Sequence, residues 1–268
     1  MKIYHYTSLP SLVSMISNNS LKLIRLDKFL AYYEPNFFPK TLPIDHAIIN
    51  DFRNVYISSW TTDAEESISA WRLFSSLDTG VRIGLDLERC FGDVHFCEVE
   101  VFPLQFPHSL IKSIFQTKIP DNKLVLSDIQ YVNDSQEMVN QIFNRDYLHG
   151  DADGIIKYFE HKKSLISLSS NKKTAYNEVR LQVEVIPPAK PYSNKALRKY
   201  EAGLCSDNLI SVIIAKLPEC FFKDIEIIVS PCFAKENICL LNDFISAHGI
   251  NTSVQLSDLH NLTTPCFP

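Results

Sequence analysis

YHYTSLPSLV, residues 4–13, changes its hydrophobic period in the middle. Ile3, Tyr4, His5 and Tyr6 read as a short strand. Thr7 or Ser8 then offers a side-chain cap, Pro10 suits a first helical turn, and Leu9, Leu12, Val13 and Ile16 fall on one helix face. Asn18 and Asn19 stop that helix, and Leu21 to Ile24 read as a second strand. A strand–helix–strand opening therefore carries His5 between two tyrosines near the end of its first strand.

The same alternation of periods continues. FLAYYEPNFFPKTLP, residues 29–43, is aromatic and broken by proline, and reads as a long loop or flap. A strand is predicted from Val55 to Ser59, a helix through SISAWRLF, and a strand through VRIGLDLE with Val81, Ile83 and Leu85 on one face. HFCEVEVF, residues 95–102, continues as a strand with Cys97, Val99 and Val101 inward and Glu98 and Glu100 outward. A polar, mainly helical insertion is predicted around 132–170, and PPAKPYSNKALRK, residues 187–199, is the exposed connector. The tail reads as a strand (DIEIIVSP), an amphipathic helix with Ile238, Leu241, Phe244 and Ile245 ending near Gly249, and a last strand around Thr252 to Gln255.

The cleanest alternation lies in YNEVRLQVEV, residues 176–185. Val179, Leu181, Val183 and Val185 share one face; Glu178, Arg180, Gln182 and Glu184 share the other. Either the polar face meets solvent on one side of an antiparallel sheet, or it lines a cleft with a carboxylate beside a guanidinium and an amide.

Composition narrows the function classes. The 268 residues, 46% hydrophobic, suffice for one domain, 1–268, and the net charge of −5 argues against bulk electrostatic binding to nucleic acid or an anionic membrane. The 7 cysteines are scattered without a C-x-x-C pair, so reduced thiols are expected rather than a disulfide framework or a zinc site. No apolar run suits a signal peptide or a membrane span, which leads to the expectation of a soluble cytoplasmic protein. Glycine is scarce and no G-x-G-x-x-G or G-K-[ST] loop occurs, which disfavours Rossmann and P-loop folds. His46, His95, His108, His149, His161, His248 and His260 show no paired spacing, so no metal is expected. Trp71 reads as core, and Glu65 and Glu66 as acidic residues near a helix N-terminus.

YHYTSLPSLVSMISNNSLKL, then YISSWTTDAEESISAWRLFSSLDTGVRIGLDLE, then KKTAYNEVRLQVEV resembles a large bacterial family of proteins of unknown function. That family shows a YHYT-type start, a serine-rich strand leading to a Trp-containing helix, a G-V-x-I-x-[FL]-D strand and a late Glu-x-Glu-x-Arg. Its His-bearing opening is similar to the first motif of ADP-ribosyltransferases, including toxins that modify nucleic acid. The resemblance implies that His5 hydrogen-bonds the ribose of NAD, that Tyr6 is the aromatic partner, and that Glu178 is the catalytic carboxylate. Tyr176 stands where the family has its first glutamate, and its Asn-Asp after the second strand is absent from LDKFLAYYEPN.

The residue types suit that chemistry. Cleaving a nicotinamide glycosidic bond builds positive charge on the ribose, which a carboxylate stabilises while also serving as base toward an acceptor hydroxyl. Arg180 would hold Glu178 ionised or grip a pyrophosphate, and Ser58 and Ser59 either bond ribose or amide groups or cap the next helix. The expected fold class is α+β, an ADP-ribosyltransferase-like core of two facing, mainly antiparallel sheets with inserted helices and a cleft between them. The expected function is NAD-consuming ADP-ribosyl transfer or NAD hydrolysis, with NAD as co-substrate and a nucleic-acid or protein acceptor, in a toxin or phage-defence effector. The alternative is a catalytically inert module that keeps the fold to bind a nucleotide or a protein.

Overall fold

A computed structural model of the chain describes residues 1–33, 54–91, 96–103, 123–131, 168–169, 177–185 and 211–262. Strand β1 (Lys2–Ser8) runs into helix α1 (Leu9–Asn18), and of the two capping candidates Ser8 takes the role. Its extended backbone lets Oγ accept the Ser11 N–H at 3.3 Å, and Pro10 sits where no donor is needed. Asn19 closes the helix in the left-handed region at φ 45°, returning its N–H to the Ile16 carbonyl. The chain then enters β2 (Ser20–Arg25).

Helix α2 (Leu26–Tyr33) corrects the expectation of a flap beginning at Phe29. Leu26, Phe29 and Leu30 are buried at i, i+3 and i+4, so helical spacing holds until Tyr33; the remainder of that stretch lies outside the described residues. There follow β3 (Val55–Thr61), α3 (Ile68–Phe74), β4 (Gly80–Asp86) and α4 (Leu87–Phe91). The single strand expected over 95–102 is two, β5 (Phe96–Glu98) and β6 (Glu100–Pro103), although Cys97, Val99 and Val101 are all buried as the alternation requires. The remaining elements are β7 (Lys123–Asp128), β8 (Gln130–Tyr131), β9 (Leu168–Ser169), β10 (Glu178–Glu184), β11 (Val212–Lys216), β12 (Glu226–Val229), α5 (Lys235–Ala247) and β13 (Val254–Leu256). Apart from β9, which pairs in parallel with β8, the predicted helical insertion and the 187–199 connector lie outside the described residues.

The protein is α+β, but apart from the short β8–β9 pair its described strands do not divide into two facing sheets. Eleven are hydrogen-bonded into one, in the order β13-β12-β4-β1-β3-β10-β7-β5, with β2 branching from β3 and leading through β11 to β6. All its pairings are antiparallel except β12 with β13. The branch arises because β3 divides one edge between two partners. Tyr56 and Ile57 pair with β2, Thr61 pairs with Tyr4 of β1, and residues 58–60 between them have no strand partner on that side. The other edge of β3 pairs with β10 over its whole length, from Val55↔Glu184 to Thr61↔Glu178.

The main core joins Ile3, Val81, Ile83 and Leu85 of the sheet to Leu12, Met15 and Ile16 of α1 and Leu241 and Ile245 of α5. A smaller cluster, Tyr6, Ala70, Trp71 and Ile228, fills the space under α3. Trp71 is fully buried, and its indole N–H donates to Glu66 at 3.0 Å. Glu66 also accepts from Ser257 Oγ and the Asp258 N–H, so it ties the C-terminal segment to α3 instead of merely complementing a helix end. Gly84 stands opposite Tyr4, where a Cβ would come within 3.0 Å of the tyrosine ring.

Cys90, Cys97 and Cys239 are free thiols, but Cys232 is disulfide-bonded, which corrects the expectation of reduced thiols throughout. Scattered spacing cannot show which thiols meet in space, and such bonds persist mainly in oxidising compartments. No helix among the described residues is long and apolar enough to cross a membrane.

Ile83 is fully buried at the centre of β4, whereas Leu73 on α3 is 55% exposed. Ile83→Ala is expected to lower the unfolding free energy by about 2–5 kcal/mol. Leu73→Ala should stay within about 0.5 kcal/mol of wild type. Urea unfolding of the two variants measures the contrast; equal losses would contradict the placement of the core.

Candidate functional site

The fork in the sheet opens a cleft of about 370 Å³. Its lining includes His5 and Tyr6 from β1, Ser58 from β3 and Glu178 from β10. Residues 173 positions apart in the chain thus face one cavity, although β1 and β10 are not neighbours and flank β3 on either side.

Ser59 connects the two candidate residues. Its carbonyl points into the unpaired stretch of the β3 edge and lies 2.8 Å from His5 Nδ1. A carbonyl only accepts, so Nδ1 carries the proton and Nε2 of the neutral ring is left as an acceptor. The Ser59 hydroxyl donates to Glu178 Oε1 at 2.8 Å. Arg180 Nε donates to the same oxygen at 3.1 Å. Among the described residues Glu178 Oε2 has no such partner, which leaves one carboxylate oxygen for a ligand.

Burial settles how the polar face of β10 is used. Arg180 is fully buried under the Phe29 ring, its guanidinium carbon 5.2 Å from the ring centroid, so that face does not meet solvent at Arg180. Arg180, expected either to hold Glu178 or to grip a pyrophosphate, lies behind Glu178 and is not among the described lining residues. A guanidinium deprived of water needs an anionic neighbour, and Glu178 is one.

Ser58 Oγ accepts the Trp60 indole N–H at 3.0 Å, which fixes that ring 4.8 Å from the His5 ring at 32°. Neither Ser58 nor Ser59 acts as a helix cap; Ser67 caps α3. Tyr6 meets Trp71 edge-on at 4.9 Å and is largely covered. The pleat adds a further constraint. Tyr4, Thr61 and Glu178 form one cross-strand row, so His5 belongs to the opposite face with Trp60, and the two faces reach a common cavity only where β1 and β3 part.

A second set of contacts, invisible in the sequence, holds Glu178 from the other end. Arg82, nearly fully buried and stacked 3.8 Å from the Tyr4 ring centre, donates to the carbonyls of Asp63 and Ala64 at 2.8 and 2.7 Å. Asp63 in turn accepts both the side-chain and the backbone N–H of Asn177, at 2.6 and 3.1 Å, one residue before Glu178. No group of three or more His, Cys, Asp or Glu able to hold a metal occurs among the described residues.

Compared with protein-family models, curated proteins and solved structures, the chain matches none.

Burial lowers the His5 pKa below its ordinary 6.5, outweighing the hydrogen bond to Ser59 that raises it. As pH falls through 6.5 the unfolded chain takes up a proton that the folded ring resists. The stability is therefore complete above 6.5 and is lost as pH drops toward the folded pKa, by at most about 1.4 kcal/mol per pH unit. Melting temperatures at pH 7.5 and 5.5 should show a smaller acid loss in His5→Gln than in wild type, and an identical loss would contradict the buried neutral histidine.

Proposed function

We propose that the chain is an NAD-consuming enzyme of the ADP-ribosyltransferase type. The observation that carries this reading is the convergence of His5 and Glu178 on one cleft through Ser59, with an acceptor nitrogen on one side and an unoccupied carboxylate oxygen on the other. His5 Nε2 would accept a ribose hydroxyl. Trp60 and Tyr6 supply apolar and aromatic walls for a flat ring. In the reaction the bond between ribose C1′ and the pyridinium nitrogen breaks, and its electron pair leaves with neutral nicotinamide. Positive charge gathers on the ribose, where Glu178 stabilises it; the acceptor oxygen then bonds C1′ and yields its proton to Glu178 or to water.

With a macromolecular acceptor, nucleic acid or protein, this activity would make the chain a toxin or phage-defence effector; with water as acceptor it is an NAD glycohydrolase. Tyr176 and residues 34–53 lie outside the described residues.

Glu178→Gln keeps the acceptor of the Ser59 bond while removing the charge. It should bind NAD nearly as wild type does, yet release nicotinamide about 100-fold to 1000-fold more slowly, measured with and without cell lysate as a source of acceptors. Equal rates in variant and wild type would remove Glu178 from catalysis. Silence of the wild type with lysate present, alongside intact NAD binding, would favour the inert binding module.

NAD should also raise the melting temperature of the wild type by mass action, and His5→Ala should reduce that rise. An undiminished shift in His5→Ala would exclude His5 from the ligand site.

A further inference from the structure

The cleft has a second end, and its charges are simple. Among the described residues of its lining Glu178 is the one anion and Lys22 the one cation, since His5 is neutral and Arg180 lies behind Glu178. Lys22 sits on β2, exposed, and among the described residues no carboxylate pairs with it.

The register places it relative to the site. β2 pairs with β3 at Ile24↔Ile57, and the antiparallel ladder continued by two residues would set Lys22 opposite Ser59. It is not continued; the pairing ends at Ile24↔Ile57, and Lys22 and Ser59 both line the cleft beyond that point. Side chains two apart share a face, so Lys22 points to the side on which Ser59 Oγ holds Glu178. Lys22 and Glu178 thus bracket the cleft from opposite strands.

The other feature in the cleft that suits an anion, the start of α1, is already used. The Leu9 N–H goes to the Thr79 carbonyl, Pro10 has none, and the Ser11 N–H goes to Ser8 Oγ. The cleft is lined as well by the hydroxyl-bearing side chains of Ser11, Ser14 and Ser20.

We infer that Lys22 is the phosphate contact of the cleft, gripping the pyrophosphate of a dinucleotide whose ribose lies against Glu178. This deepens the nucleotide reading above and rests on it. The arrangement fits a ligand that is anionic at one point and becomes cationic at another, as a nucleotide does when its glycosidic bond breaks. A lysine meets a phosphate as a mobile point charge, which suits an exposed position at a cleft mouth.

The test titrates the full-length wild type, Lys22→Ala and Lys22→Arg with adenosine, ADP and a short single-stranded oligonucleotide by calorimetry. Lys22 is exposed and unpaired, and melting temperatures confirm that the variants fold. ADP should bind about tenfold more weakly to Lys22→Ala and near wild-type strength to Lys22→Arg. Adenosine should bind all three alike, or none. Four outcomes would overturn the inference: no binding of ADP by the wild type at millimolar concentration, equal ADP binding by Lys22→Ala, a parallel loss of adenosine, or a Lys22 dependence confined to the oligonucleotide. The pattern does not depend on turnover. Lys22-dependent ADP binding without nicotinamide release supports this contact while removing the reaction, and nicotinamide release with unchanged ADP binding does the reverse.

Discussion

A single hydrogen bond at a forked strand edge organises this molecule. Where β1 and β2 leave β3, the backbone between Ile57 and Thr61 loses its ladder partners on that edge, and a part-buried carbonyl without a donor is costly. His5 Nδ1 supplies the donor to Ser59. The bond satisfies the backbone and fixes the imidazole tautomer at the cleft. The residue that resolves the structural problem of the fork therefore also presents a defined acceptor nitrogen to whatever enters.

The carboxylate across the cleft is held with similar economy of parts. Ser59 presents its carbonyl to β1 and its hydroxyl to Glu178. Behind Glu178 the buried Arg180 supplies positive charge, and in front the Arg82–Asp63–Asn177 contacts fix the start of β10. Two buried arginines thus support the site without touching the cleft themselves: one neighbours the carboxylate directly, the other braces the loop that anchors its strand. Replacing either with an apolar residue would relieve a desolvation penalty yet leave carbonyls or a carboxylate without their donor.

This division of labour sets what each charge can do. A fully buried guanidinium hydrogen-bonded to Glu178 is poorly placed to grip a phosphate, whereas an exposed lysine lining the cleft can reach one. In the proposed reading, chemistry at the ribose and recognition of a phosphate would fall on different strands, β10 and β2, each of which pairs with β3.

The opening strand–helix–strand, the β3–α3–β4 run, β10 and the closing strand and helix were legible from residue periodicity, whereas α2, α4, β7 and β11 were not. The Ser8 cap, the Asn18–Asn19 stop and the alternation through Val179 to Val185 are local features, decided by side-chain oxygens, backbone geometry and the two-residue pleat. The candidates His5, Tyr6, Ser58 and Glu178 were legible too, and the fold brings them to one cavity. Local rules do not extend to which strand edges meet. That the strands form one forked sheet, that α2 extends through Tyr33, that Arg180 is buried while Lys22 faces the cleft, and that Ser59 rather than Ser58 bridges the site all follow from pairing between distant segments. Alternation predicts that Arg180 and Glu178 share a face, but whether that face is wet depends on a helix packing over it, and the unpaired carbonyl that recruits His5 exists only once three strands compete for the two edges of β3.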